Sequence, residues 1–189
     1  ATFSYDVLNL AQQWLFEPQT VEIEPLKTTS AQVEQRVYIV AKRDKERLLK
    51  EILAAEPIEK VMVFANRRDQ VRKLYDRLKL QNYQVGMLSG EITQDRRTKM
   101  LDQFKNGKTQ IMIATDVAGR GIHVDGVSHV INYTLPEQPD DYVHRIGRTG
   151  RAGATGVSIS FACEDDSFLL ADLEKALKQK LPLVRPEGY

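Results

Sequence analysis

Apolar residues recur along this sequence in two alternating rhythms, a helical spacing of three and four and short unbroken runs. The alternation predicts an α/β fold around a mainly parallel sheet. Val7, Leu8, Leu10, Ala11, Trp14 and Leu15 carry the helical rhythm, and Thr20 to Glu24 alternates as a short strand. The stretch from Pro25 to Gln32 (PLKTTSAQ) has no apolar period and reads as a linker. Beyond it, strands are predicted at 33–40, 60–65, 84–88, 110–114, 127–133 and 156–162, with helices at 44–55, 94–105, 140–146 and 165–180. Another helix is capped by Asn66 and turns Val71, Leu74 and Leu78 inward.

Such a sheet places ligand-binding loops at the carboxyl ends of its strands. The loops after Leu88, Ala114 and Tyr133 carry the most chemistry. The longest cationic cluster, HRIGRTGR at 144–151, sets Arg145, Arg148 and Arg151 three apart, so on a helix they repel unless they meet anions. A guanidinium fork binds phosphate oxygens in pairs, and Gly147 and Gly150 allow close backbone approach. A solvated basic turn is the plainer alternative. In ATDVAGRGIH (114–123), Thr115 and Asp116 stand at a strand tip and offer a hydroxyl and backbone N–H groups to a phosphate, unless this is an ordinary strand-to-helix turn. In LSGEITQDRR (88–97), a helix start carrying Gln94, Arg96 and Arg97 suits a nucleic-acid phosphate, or is simply a capped surface helix.

Composition narrows the classes. With 189 residues, 42% hydrophobic and 28% charged, the chain can fill one core but not two complete α/β domains. No run approaches the ~20 apolar residues of a membrane helix, and no secretion signal is readable, so a cytoplasmic protein with no membrane partner is expected. Cys163 is the single cysteine, and with His123, His129 and His144 it has no metal-site spacing, so no metal is expected. A net charge of +1 means that any basic surface is local. Gly107-Lys108-Thr109 resembles the end of a phosphate loop, but Asp102 stands where that loop needs glycine, and the order is helix then strand.

Taken together, the loops resemble the C-terminal RecA-like domain of a DEAD-box RNA helicase of superfamily 2. HRIGRTGR is similar to that family's motif VI, ATDVAGRGIH to motif V, KVMVFANRR to motif IV, and the spacing of Gly90, Gln94 and Arg97 to motif IVa. The resemblance implies a RecA-like open, mainly parallel sheet with helices on both faces. It divides the chain into a 1–26 tail of a first RecA-like domain, a 27–32 linker and a second helicase domain at 33–189. Arg148 and Arg151 are then arginine fingers toward ATP, and Arg120, Gly121, His123, His144 and Arg145 belong to the nucleotide cleft. Arg67, Gly90, Gln94, Arg97, Thr115 and Asp116 hold the RNA backbone.

His123 replaces the family's usual Asp, which puts the ribose contact in doubt. Arg67 stands where a hydroxyl residue is usual. The family binds Mg2+ and the β/γ-phosphates in its other half; neither a Walker A sequence nor Asp-Glu-Ala-Asp occurs here, so this chain alone is expected to be inactive. His123 and the ACEDD run from Ala162 are most similar to a bacterial branch, implying RNA degradation in the cytoplasm. Expected partners are RNA, the N-terminal RecA-like domain and a ribonuclease scaffold. The alternative is a non-catalytic RNA-binding or partner-docking module.

Overall fold

A computed structural model describes residues 2–3, 19–24, 31–150 and 155–189. One sheet runs in the order β1-β2-β3-β8-β7-β4-β6-β5. Its strands are β1 (Thr2–Phe3), β2 (Gln19–Glu24), β3 (Ala31–Ile39), β4 (Val61–Phe64), β5 (Val85–Leu88), β6 (Ile111–Ala114), β7 (His129–Asn132), β8 (Thr155–Ala162) and β9 (Leu183–Val184). From β3 through β5 every pairing is parallel. The helices are α1 (Lys45–Ala55), α2 (Arg68–Leu80), α3 (Gln94–Lys105), α4 (Asp116–Gly119), α5 (Pro139–Ile146) and α6 (Ser167–Leu177), with a 3-10 turn (Lys42–Asp44) before α1.

The central strands are apolar on both sides because helices cover both faces. In β4, Val61 and Val63 pack under α1 and α2 with Leu49, Leu74 and Leu78, while Met62 and Phe64 face the other layer with Phe104 and Ile122. β6 splits the same way, Ile111 and Ile113 against Met112 and Ala114. A third cluster joins Val33 and Val37 of β3 to Tyr142, Val143 and Ile146 of α5 and to Leu173 and Leu177 of α6. Each such side chain contributes about 1.5–3 kcal/mol on burial.

The expected segments are present with three differences. Residues 19–24 hydrogen-bond to β3 as an antiparallel strand, so part of the expected 1–26 tail extends this same sheet. Of the linker expected at 27–32, residues 31 and 32 belong to β3, where Gln32 pairs with Thr155 of β8, and the rest lies outside the described residues. The last helix stops at Leu177 rather than 180: Lys178 turns left-handed with φ 54°, and the Glu174 carboxylate accepts from the Leu181 N–H at 2.7 Å, leading into β9. The helical rhythm of residues 7–15, with Trp14, lies outside the described residues.

Strand order reverses around β4, which has β6 on one side and β7 on the other. Loops at the carboxyl ends of strands flanking such a switch enclose the usual ligand crevice of open α/β sheets. The register pairs Phe64 with both Ala114 and Asn132, so the chain leaves all three strands at one level.

Candidate functional site

Beneath that crevice lies Arg145, 1% exposed and the largest fully buried side chain among the described residues. It falls on the inner face of α5 because Tyr142, Val143 and Ile146 turn that face toward the core. A buried guanidinium is tolerated only when its donors are met. Here Nε and Nη2 grip the two carboxylate oxygens of Asp116 at 2.6 and 2.8 Å. Nη2 also donates to Asn66 Oδ1 at 2.6 Å, and Nη1 to the Thr134 carbonyl at 2.8 Å and to Asn132 Oδ1 at 3.3 Å. All five N–H donors of the fork are therefore committed to protein acceptors. Arg145, expected at the nucleotide, ties together the loops after β4, β6 and β7 at the base of the cleft. Asp116, expected on RNA, is its carboxylate partner.

Above this hub, Arg120, His144 and Arg148 line one cleft with Phe64, Asp141 and Asp116. Arg120 and His144 are exposed. Arg148 is half-buried, and its Nη1 donates to the Ile122 carbonyl at 2.5 Å. It also lines an adjoining pocket with His123, so the residue replacing the family's Asp shares that pocket with Arg148. Burial pushes the Asp141 carboxyl up, and the charge of Asp116 adds to this against the opposing pull of Arg145. The rim is thus cationic at its tips and acidic at its base.

Glycines set its shape. A Cβ on Gly119 would stand 3.0 Å from the Phe64 ring, and Gly121 has φ +77° with open space around it. Gly150, at φ +69°, passes so close to β3 that a Cβ would lie 2.5 Å from the Gln32 carbonyl. The Thr149 hydroxyl donates to the Val127 carbonyl, fixing the end of the motif onto the loop before β7. Arg151 lies outside the described residues.

The residues expected to hold RNA divide. Thr115 is buried at 7% and caps α4, its hydroxyl accepting from the Ala118 N–H at 3.4 Å. Gly90 and Gln94 are exposed at the start of α3, while Arg97 reaches across to donate to the Ala118 carbonyl at 3.0 Å, joining α3 to the Thr115 loop. Arg67 is exposed, N-caps α2 in place of the expected Asn66, and forks onto Asp69 at 2.9 and 3.2 Å. Asn66, Asn132 and Thr134 were not among the candidates from sequence. For Asn66 and Asn132 a signal existed, a carboxamide at or just past the end of an apolar strand. Asn66 also donates to the Leu135 carbonyl at 2.7 Å, so its amide is used at both ends.

Residues 44–153 match the helicase conserved C-terminal domain. The chain is 55% identical over 189 residues to the ATP-dependent RNA helicase RhlB of Pseudomonas syringae, covering all of this chain and 48% of that protein. It therefore spans about half the length of the curated relatives it matches. Among solved structures it resembles the E. coli DEAD-box protein SrmB bound to the regulator of ribonuclease activity A, with TM-score 0.77 and 30% identity, covering 86% of this chain and 98% of that one. S. cerevisiae Dbp5 bound to RNA and ADP BeF3 is similar at TM-score 0.73 and 32% identity, covering 80% of this chain and 41% of that one.

Proposed function

The chain belongs to the helicase C-terminal domain family in its DEAD-box branch, and on that premise we propose that it completes, rather than carries, the nucleotide site of an ATP-dependent RNA helicase. One observation supports this above all: Arg120 from the end of α4, His144 from the last turn of α5 and Arg148 just beyond it converge on one cleft above a guanidinium that is itself fully satisfied. The hub sets the loops so that the rim cations point where an anion arrives.

In this reading ATP is held by the other half of the motor and Arg148 and Arg151 approach its γ-phosphate when the halves close. Cationic tips fit a triphosphate, and a positioned finger is worth ~10³ to 10⁵ in rate, or about 4–7 kcal/mol of barrier. Mg2+ would neutralise phosphate charge when bound and is assigned to the other half. His144 and Arg120 bridge to that half, while Gly121 lets the loop turn toward His123 and the ribose.

Thr115, Gly90, Gln94 and Arg97 grip the RNA sugar-phosphate backbone, which gives binding without base readout. The Ala118 carbonyl, held by Arg97, couples that grip to the loop of Asp116 and Arg120. RNA spanning both halves then favours closure by binding the closed state better. Arg67 serves as an outlying phosphate contact once released from Asp69. The intact protein is placed in the cytoplasm, in RNA degradation, with a ribonuclease scaffold as partner.

The test is RNA-stimulated ATP hydrolysis by this chain mixed with the N-terminal half of the same protein. Hydrolysis that needs both halves and is lost with Arg148→Ala is the expected result. Unchanged hydrolysis from a mixture that still binds RNA would assign the chain to a non-catalytic binding module.

A further inference from the structure

We propose that the groove between α1 and α2 is a second site for the RNA backbone, taking single strand that runs on past the loops at the strand ends. The proposal rests on the RNA-binding reading above and extends it to a surface outside the four motif loops.

The groove encloses about 290 Å³ and is lined by Lys42, Arg43, Lys45, Lys73 and Arg77, with Glu46 as its only acid. That volume holds roughly ten waters at ~30 Å3 each, room enough for a nucleotide unit. The whole chain carries a net charge of only +1, so five cations around one cavity are a marked local excess. The excess is only partly neutralised. Arg77 meets Glu46 at 3.2 Å, a carboxylate already shared with Lys50, and Lys45 meets Asp166 at 3.6 Å. Arg43 reaches only its neighbour Asp44, at 4.0 Å. Among the described residues neither Lys42 nor Lys73 has an ion pair, and both are exposed.

Position decides which polyanion fits. Gln70, Lys73, Leu74 and Arg77 follow the i, i+3, i+4, i+7 spacing of one helix face, opposite the turn that carries Lys42 and Arg43. Gln70 also accepts from the Arg67 N–H at 3.1 Å. Thr134 lines the groove, its hydroxyl accepting from the Asn66 N–H at 2.9 Å and its carbonyl from Arg145. The groove therefore opens directly beside the loop after β4, and a strand that displaces the exposed Asp69 from Arg67 can pass on to Lys73 of the helix that Arg67 caps. Tyr133, whose hydroxyl burial pushes up to about 12, stays a hydrogen-bond donor at the groove's edge. An acidic peptide would share the charge match but not this continuity.

The experiment measures fluorescence anisotropy of the chain with oligouridylate of roughly 6 and roughly 20 nucleotides, lengths bracketing most of the ~4–16-nucleotide sites of single-strand binders. Wild type, Lys42→Gln/Lys73→Gln and Arg97→Ala are compared over a salt series, with thermal melts confirming folding of each. Wild type is expected to bind the longer oligomer more tightly. The double variant is expected to lose that gain, about tenfold, with a salt slope shallower by about 1.4 for two phosphates and the shorter oligomer unaffected. An undiminished length gain in the double variant, with short-oligomer binding weakened by Arg97→Ala, overturns the groove site alone. Wild type that binds neither length overturns the RNA reading beneath it as well. A polyglutamate probe that binds through Lys42 and Lys73 where RNA does not assigns the groove to an acidic protein segment and overturns the proposal.

Discussion

Arg145 and Arg148 stand three residues apart in one basic segment and line one cleft, yet one forms its buried floor and the other its rim. The first is the centre of a buried hub whose donors all point inward to Asp116, Asn66, Asn132 and Thr134. The second sits at a rim shared by two pockets. The difference follows from helix geometry. Arg145 falls within the apolar face of α5, whereas Arg148 lies beyond the helix end at Gly147, off that face. Identical side chains thus do different work, one fixing where loops stand and the other presenting charge from them.

The comparison breaks most sharply at the hub. Arg145→Met keeps much of the volume but strands the Asp116 carboxylate and the Asn66 amide oxygen, and a loss of about 3–5 kcal/mol is expected in urea unfolding at pH 7. A loss below about 1 kcal/mol would mean that the hub is not what holds the loops. Next in size is Gly150→Ala, which combines a positive φ with a Cβ 2.5 Å from the Gln32 carbonyl. It is expected to destabilise by about 1–3 kcal/mol in the same assay.

A pH series sharpens the contrast between interior and rim. His129 is 3% exposed on β7, and burial lowers its pKa from the usual value, against the attraction of Glu56 at 3.5 Å. Folding therefore favours its neutral form. The stability it supports is present above about pH 6.5 and lost as pH falls from there toward the lowered folded value. The slope is expected to stay under about 1.4 kcal/mol per pH unit, the limit for one proton, and to flatten in His129→Gln. An unchanged slope in that variant would place the acid sensitivity elsewhere. The smallest effect belongs to the rim: Arg120→Ala, at an exposed position, is expected to shift stability by no more than about 0.5 kcal/mol.

How far the sequence alone reached depends on the range of the interaction. VMVF and IMIA could only be buried strands, and Val71, Leu74 and Leu78 could only face a core, because those signals lie within one element. Gly90, Gln94 and Arg97 were visible as a spacing on a single helix start. The hub was not visible, since Asn66, Asp116 and Arg145 meet only through the parallel register of β4, β6 and β7. Its local traces are the carboxamides at the ends of two apolar strands and the helical phase of Arg145 relative to Tyr142 and Ile146, which on its own also suits a phosphate-binding cluster. β9 has no signal in the sequence because two residues carry no period; its place is set by a Val37 N–H bonded to the Pro182 carbonyl at 2.8 Å.

The central claim, that the hub positions and the rim acts, is tested most directly by Arg148→Ala in the full-length helicase, with RNA-stimulated kcat and urea stability read on the same preparation. The account expects kcat to fall by ~10³ or more while stability changes by no more than about 3 kcal/mol, the upper end for a hydrogen bond from a charged group such as the one to the Ile122 carbonyl. A kcat within threefold of wild type at unchanged stability would contradict it.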